Sequence, residues 1–283
     1  MKGLVMKDTL RIAMAQMCSS TSHAENIATV AGFAEEARSA GAEVLALPEV
    51  AGLMNRDAKT AREVITLPED DPFIEGCQKI AADHRLWIHN GSTPVLAGDG
   101  RFLNQSALID PTGRLLGRYS KIHLFDADIP GGKPIRESSR FAPGDAAVLA
   151  ETPWGPWGLS ICYDLRFPQL YRDYAQAGAT LLFVPSAFTV PTGRAHWEVL
   201  LRARAIETGA YVVAAAQGGK HEDGRETWGH SMIVNPWGEV LADMGHNGPS
   251  LKIVDLPIGK VAEARRNIPS LANGRPYNMA RVR

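Results

Sequence analysis

The chain has 283 residues, 45% of them hydrophobic and 22% charged, with a formal net charge of −1. That length gives one large domain or two small ones, each able to bury a substantial core. Thirty Lys plus Arg against thirty-one Asp plus Glu, dispersed rather than blocked, argue against nucleic-acid or anionic-membrane partners.

The opening run "MKGLVMKDTLRIAMAQ" has scattered charges and no uninterrupted apolar stretch. Nothing along the chain approaches the roughly 18 apolar residues that a membrane helix requires. Within that run "LRIAMAQ" predicts a strand. "SHAENIATVAGFAEEARSAG" predicts a helix: Ser22 and Glu25 are spaced as a capping box, Ile27, Val30, Ala31, Ala34 and Ala37 share a face, and Gly41 closes the end. "AEVLALPE" is then a short apolar strand ending in Pro48 and Glu49, and "RLLGRYSK" a strand ending in Lys121. The segment 121–145 lacks periodicity; a loop of that length in a compact fold points to function, and it carries His123, Asp126, Asp128, Lys133 and Glu137. "GLSICYDLRFP" (158–168) ends an apolar strand at Cys162, and a helix is expected from about Pro168 to Ala177, with Leu170, Tyr171, Tyr174 and Ala175 on one face.

Two passages recur. "AGAEVLALPEV" (40–50) aligns with "AGATLLFVPSA" (177–187), and "LIDPTGRLL" (108–116) with "IVNPWGEVL" (233–241). The second pair are hairpins turning at Asp-Pro-x-Gly and Asn-Pro-x-Gly. Each half then holds a sheet with helices on one face, and packing the bare faces together predicts an α+β fold, a four-layer α-β-β-α sandwich. No Pro/Gly/Ser linker separates the halves, so one domain over 1–283 is expected.

Three cysteines, Cys18, Cys77 and Cys162, form no C-x-x-C pair, which argues against a disulfide framework or structural zinc and for the reducing cytoplasm. Cys18 and Cys77 read as buried thiols, "KHEDG" (220–224) as a solvated hairpin tip, and His196 and His230 as structural. Cys162 differs by position: a strand's carboxyl end before a helix faces the crevice where α/β folds bind ligands. The helix dipole there would favour a thiolate. From placement alone, core thiol and nucleophile are both open. Glu49 and Lys121, each more ordinary as a surface charge when taken singly, together with Cys162 supply a base, a cation and a nucleophile at three strand ends. Attack on an amide or nitrile carbon needs those parts.

"LALPE", "YSKIHLFDADIP", "GLSICYDLRFP" and "AHWEVLLRARAIE" resemble, in order and spacing, the nitrilase superfamily of carbon–nitrogen hydrolases over nearly the whole chain. "PSAFTVPTGRAHWEVLLRARAIETGAYVVAAAQ" with "WGHSMIVNPWGEV" is most similar to its deaminated glutathione amidase branch; omega-amidases share the frame but usually read Pro-Gly-Ala-Phe at "PSAF". The resemblance implies the same sandwich, a Cys162 nucleophile, Glu49 as base, and an oxyanion hole from Lys121 and the Tyr163 backbone N–H. It also implies Glu137 as a second carboxylate orienting Lys121 and substrate, and substrate contacts at Arg166, Phe188 and Thr192. Arg166 alternatively reads as a structural partner of Asp164. No metal or organic cofactor is required, and relatives commonly pair as homodimers or higher homo-oligomers through the helix after the nucleophile. Nitrile, carbamoyl and other amide substrates stay open. So do two other classes, a Cys–His thiol enzyme and a non-catalytic interaction protein; the intact Glu49, Lys121 and Cys162 argue against the latter.

Overall fold

The structure, a computed structural model, describes residues 7–129 and 134–282. The first six residues and Lys133 of the long loop lie outside the described residues.

Six helices occur among the described residues: α1 (His23–Ser39), α2 (Ala58–Val64), α3 (Pro72–His84), α4 (Pro168–Gln176), α5 (Val190–Thr208) and α6 (Gly259–Asn267). Ser22 caps α1 by accepting the Glu25 N–H, but the expected capping box does not close, because the Ser22 N–H donates to Ser20 Oγ instead of the Glu25 side chain. The helix α4 buries Leu170, Tyr171, Tyr174 and Ala175, the expected face.

Two large sheets carry the architecture. In the first, Thr9–Gln16, Val44–Ala46 and Trp87–His89 run parallel, and antiparallel Phe102–Ile109 and Leu115–Ser120 continue the sheet. In the second, Trp157–Leu159, Leu181–Phe183 and Tyr211–Ala214 run parallel, followed by antiparallel Met232–Val234 and Val240–Asp243. The repeated passages thus occupy corresponding places: "VLA" and "LLF" are the middle parallel strands, and the two Pro-x-Gly turns join the corresponding hairpins.

Side-chain alternation assigns the layers. Ile12, Met14 and Val44 pack into one cluster with Trp157, Leu159 and Phe183 across the sheet–sheet gap. The intervening Ala13, Ala15 and Leu45 pack on Val30 and Ala34 of α1 and Phe73 and Cys77 of α3. On the far side, the ring of Tyr174 on α4 lies against Gly158 and Leu182. The result is the α-β-β-α sandwich. His89 joins the two sheets, its ring stacked 4.2 Å from Phe183 and its Nε2 2.9 Å from Ser106 Oγ; burial pushes its pKa down to about 3, so it is a neutral core histidine. No helix among the described residues is long and apolar enough to cross a membrane.

Asp71 caps α3 through the Ile74 N–H at 2.8 Å, yet it is 1% exposed and burial raises its pKa to about 6. The native state therefore holds this proton more tightly than the unfolded chain. The stabilisation is complete below about pH 4 and is lost as pH rises through about 6. Asn caps as well as Asp without a charge to bury. Asp71→Asn is expected to raise stability at pH 8 by about 2 to 3 kcal/mol, with the gain vanishing near pH 4. Urea titrations at the two pH values check this, and an equal gain at both would contradict it.

Candidate active site

The carboxyl ends of the strands bring Glu49, Lys121 and Cys162 together. Glu49 follows Val44–Ala46 by three residues, Lys121 directly follows Leu115–Ser120, and Cys162 opens a 3₁₀ turn, Cys162–Arg166, after Trp157–Leu159. The exposures of Glu49, Lys121 and Cys162 are 4%, 2% and 8%. Two backbone features fix this geometry. Cys162 has φ 50° and Val50, next to Glu49, has φ 49°, both in the left-handed region that disfavours such residues by about 1 to 3 kcal/mol. Gly91 packs so tightly under the Glu49 segment that a Cβ there would lie 1.9 Å from the Pro48 carbonyl oxygen.

Lys121 Nζ donates to Glu49 Oε1 at 2.9 Å and to both oxygens of Glu137 at 3.0 and 2.9 Å. Glu137 sits on a short 3₁₀ turn and also accepts the Phe125 N–H, fastening the loop to the site. The other oxygen of Glu49 accepts the Ala187 N–H at 2.8 Å, so the carboxylate spans both sheets. Asn104 Nδ2 donates to Glu49 Oε1 at 2.9 Å. Burial works against the Lys121 ammonium, but Glu137 and then Glu49 outweigh it and hold its pKa well above the usual lysine value.

The thiol corrects one expectation. Burial, reinforced by the charge of Glu49, pushes the Cys162 pKa well above its usual value, and Lys121 offsets this only in part. The turn 162–166 separates the sulfur from the start of α4 at Pro168, so the helix dipole does not act at the sulfur as expected. At rest the sulfur is a neutral thiol beside Glu49. The Cys162 N–H is committed to Pro185 O at 2.9 Å, whereas the Tyr163 N–H meets no protein acceptor among the described residues.

A small cavity opens over Cys162, lined by Phe125, Tyr163, Arg166, Ala187, Phe188 and Thr192 among others. Arg166, Phe188 and Thr192 are thus gathered where the resemblance implies. The guanidinium of Arg166 lies 5.6 Å from the Phe188 ring and 3.3 Å from His196 Nδ1.

The alternative pairing of Arg166 with Asp164 is overturned. Asp164 is fully buried and its oxygens accept Tyr119 OH at 2.6 Å, the Ile161 N–H at 2.8 Å and the His123 N–H at 3.0 Å, while His123 Nδ1 lies 2.7 Å away. It ties the Cys162 turn to the strand and loop that carry Lys121. Neither Asp164 in this role nor Asn104 is legible in the sequence, because the distant partners that define their roles, Tyr119 and His123 for Asp164 and Glu49 for Asn104, lie 41 to 45 and 55 residues away.

Elsewhere, Cys18 is half-buried rather than buried, since it lies beside the surface hairpin at Lys220 and His221. The "KHEDG" tip is a hairpin tip, but not wholly solvated: His221 is buried, with Nε2 2.7 Å from Thr227 Oγ1, and Asp223 pairs with Arg225. Among the described residues, no three His, Cys, Asp or Glu side chains are placed to hold a metal ion.

A buried thiol, carboxylate and ammonium at strand ends of an α-β-β-α sandwich define a class, and the carbon-nitrogen hydrolase family model matches residues 11–266. The chain belongs to this family, within the nitrilase superfamily, and is a hydrolase of carbon–nitrogen bonds other than peptide bonds. It is 41% identical to the deaminated glutathione amidase of Synechocystis sp. PCC 6803 over 94% of this chain and 98% of that one. It is 36% identical to omega-amidase NIT2 of Bos taurus, over 94% and 95% respectively. A solved structure similar to it is a variant of the amidase from Nesterenkonia sp. AN1 showing covalent addition of the acetamide moiety of fluoroacetamide at the active site cysteine. The TM-score is 0.77 with 27% identity, covering 94% of this chain and 100% of that one.

Proposed function

We propose that the protein hydrolyses a small omega-amide through a Cys162 thioester, with deaminated glutathione as the preferred substrate and 2-oxoglutaramate second. The observation that carries this is the Glu49 carboxylate held 2.9 Å from the Lys121 ammonium, both acting on the Cys162 thiol. Cys162 Sγ attacks the amide carbon as Glu49 takes the thiol proton. Lys121 Nζ and the Tyr163 N–H stabilise the oxyanion, the kind of contribution that is worth about 3 to 4 kcal/mol per donor in other oxyanion holes. Collapse breaks the C–N bond, and Glu49 passes its proton to the leaving nitrogen, releasing ammonia. Water then attacks the thioester while Glu49 accepts its proton; the S–C bond breaks and that proton returns to the sulfur. Glu137 holds Lys121 ionised and in place.

The substrate assignment is supported by the cation of Arg166 in a cavity walled by Phe125, Tyr163 and Phe188, which suits an amide bearing a remote carboxylate. The words "PSAF" and "AAAQ" and the Synechocystis relative favour deaminated glutathione. The Bos taurus relative keeps the omega-amidase reading as the second. An ammonia-release screen over deaminated glutathione, 2-oxoglutaramate, N-carbamoyl amino acids and simple nitriles tests it. The highest kcat/KM is expected for deaminated glutathione. Clear preference for 2-oxoglutaramate would move the protein to the omega-amidase reading, and preference for nitriles would defeat both. The same reading includes a cytoplasmic homo-oligomer, for which the exposed apolar side chains Val199 and Ile206 of α5 and Trp237 are available; light scattering gives the mass.

A further inference from the structure

We propose that Asn104 is a positioning residue that tunes the basicity of Glu49, a role that rests on the reading of Glu49 as the base. One residue holds both members of the reactive ion pair. Its side-chain Nδ2 donates to Glu49 Oε1 at 2.9 Å, and its backbone carbonyl accepts the Lys121 N–H at 2.9 Å. Asn104 is 2% exposed, and its Oδ1 has no hydrogen-bond partner among the described residues. A buried carbonyl oxygen without a donor is costly. Turning the amide over would not cure this, because Oδ1 would then face the anionic Glu49. A leucine of similar shape would leave no unsatisfied side-chain atom at position 104, so packing alone does not account for an amide here. What the amide supplies is one directed N–H on the carboxylate.

The charged and titratable groups facing Glu49 are Lys121 on its own sheet, Glu137 behind Lys121 on the loop, and Cys162 from the second sheet, with the uncharged Ala187 N–H completing the set. Lys121 is shared with Glu137 and the Ala187 donor sits on the other oxygen. Asn104 is therefore the neutral donor that shares Oε1 with Lys121. A donor to the charged form of a carboxylate lowers its pKa, and removing that donor raises it.

The test uses fluoroacetamide and peptide mapping, reading the rate of Cys162 alkylation against pH. In that reaction the Cys162 S–C bond forms, the C–F bond breaks, fluoride leaves and Glu49 takes the thiol proton. Asn104→Leu is expected to move the acid limb upward by about one pH unit, so that below it the rate is about tenfold lower at a given pH, while the plateau changes less. Asn104→Asp keeps the shape but adds a carboxylate against Glu49, and the limb is expected to move further up than with Leu. Thermal melts should find Asn104→Leu no less stable than wild type. An acid limb unmoved in both variants, with Glu49→Gln strongly impaired, overturns the inference and spares the Glu49 assignment. A rate lowered equally at every pH also overturns it, by making Asn104 merely structural. If instead Glu49→Gln alkylates as fast as wild type with the same limb, the reading of Glu49 as base fails.

Discussion

Cys162→Ala is expected to abolish amide hydrolysis while the melting temperature stays within a few degrees of wild type. The substitution removes one sulfur atom, and the backbone bond from the residue 162 N–H to Pro185 O is kept. Alanine meets the same left-handed φ of 50° without added bulk. Burial disfavours a charged sulfur at rest, so no native ion pair is broken. Removing the nucleophile from comparable covalent catalysts costs orders of magnitude in kcat, so a fall of at least about 10⁴-fold is expected. Ammonia release and a thermal melt on the same sample give both numbers. Near-normal turnover in this variant would place the nucleophile elsewhere. A histidine-selective modifier that leaves activity undiminished would separately count against the Cys–His alternative.

Glu49→Gln is expected to lower kcat by at least about 10²-fold with KM retained, since in the proposed mechanism one carboxylate moves the proton in both halves of the cycle. Its geometry adds a cost in stability. Glu49 Oε1 accepts from Lys121 and Asn104 while Oε2 accepts from Ala187. A glutamine has a single acceptor oxygen, so its NH₂ must face one of these donors and leave it unpaired, at about 1 to 3 kcal/mol. A melting temperature a few degrees lower is therefore expected alongside the loss of rate. Glu137→Gln leaves Glu49 paired with Lys121 and should cost less in kcat. The reverse order, near-normal Glu49→Gln and inactive Glu137→Gln, would assign the base to the other carboxylate.

The sequence made the architecture legible because its two halves share their wording where their sheets correspond. Glu49, Lys121 and Cys162 were legible only as a set of three strand ends, since singly Glu49 and Lys121 read as surface charges and Cys162 as either a core thiol or a nucleophile. Glu137 came from resemblance alone, since its segment has no periodicity and its contact with Lys121 depends on how the loop folds back. Asn104 and Asp164 carried no signal, because each looks like an ordinary polar residue until strands distant in sequence meet. The protonation of Cys162 was misread for a related reason. A helix nearby in sequence suggested a thiolate, whereas burial and the charge of Glu49 are properties of the folded surroundings and act the other way.

The central claim is a covalent acyl-enzyme on Cys162. Its most direct test is acid-quenched intact mass with peptide mapping during turnover of deaminated glutathione, in wild type and in a variant slowed in deacylation. The mechanism predicts a transient adduct with the mass of the substrate minus ammonia, confined to the peptide that contains Cys162 and decaying as the acid appears. Ammonia released with Cys162 unmodified at every quench time in both enzymes, or an adduct on Cys18 or Cys77 instead, would contradict it.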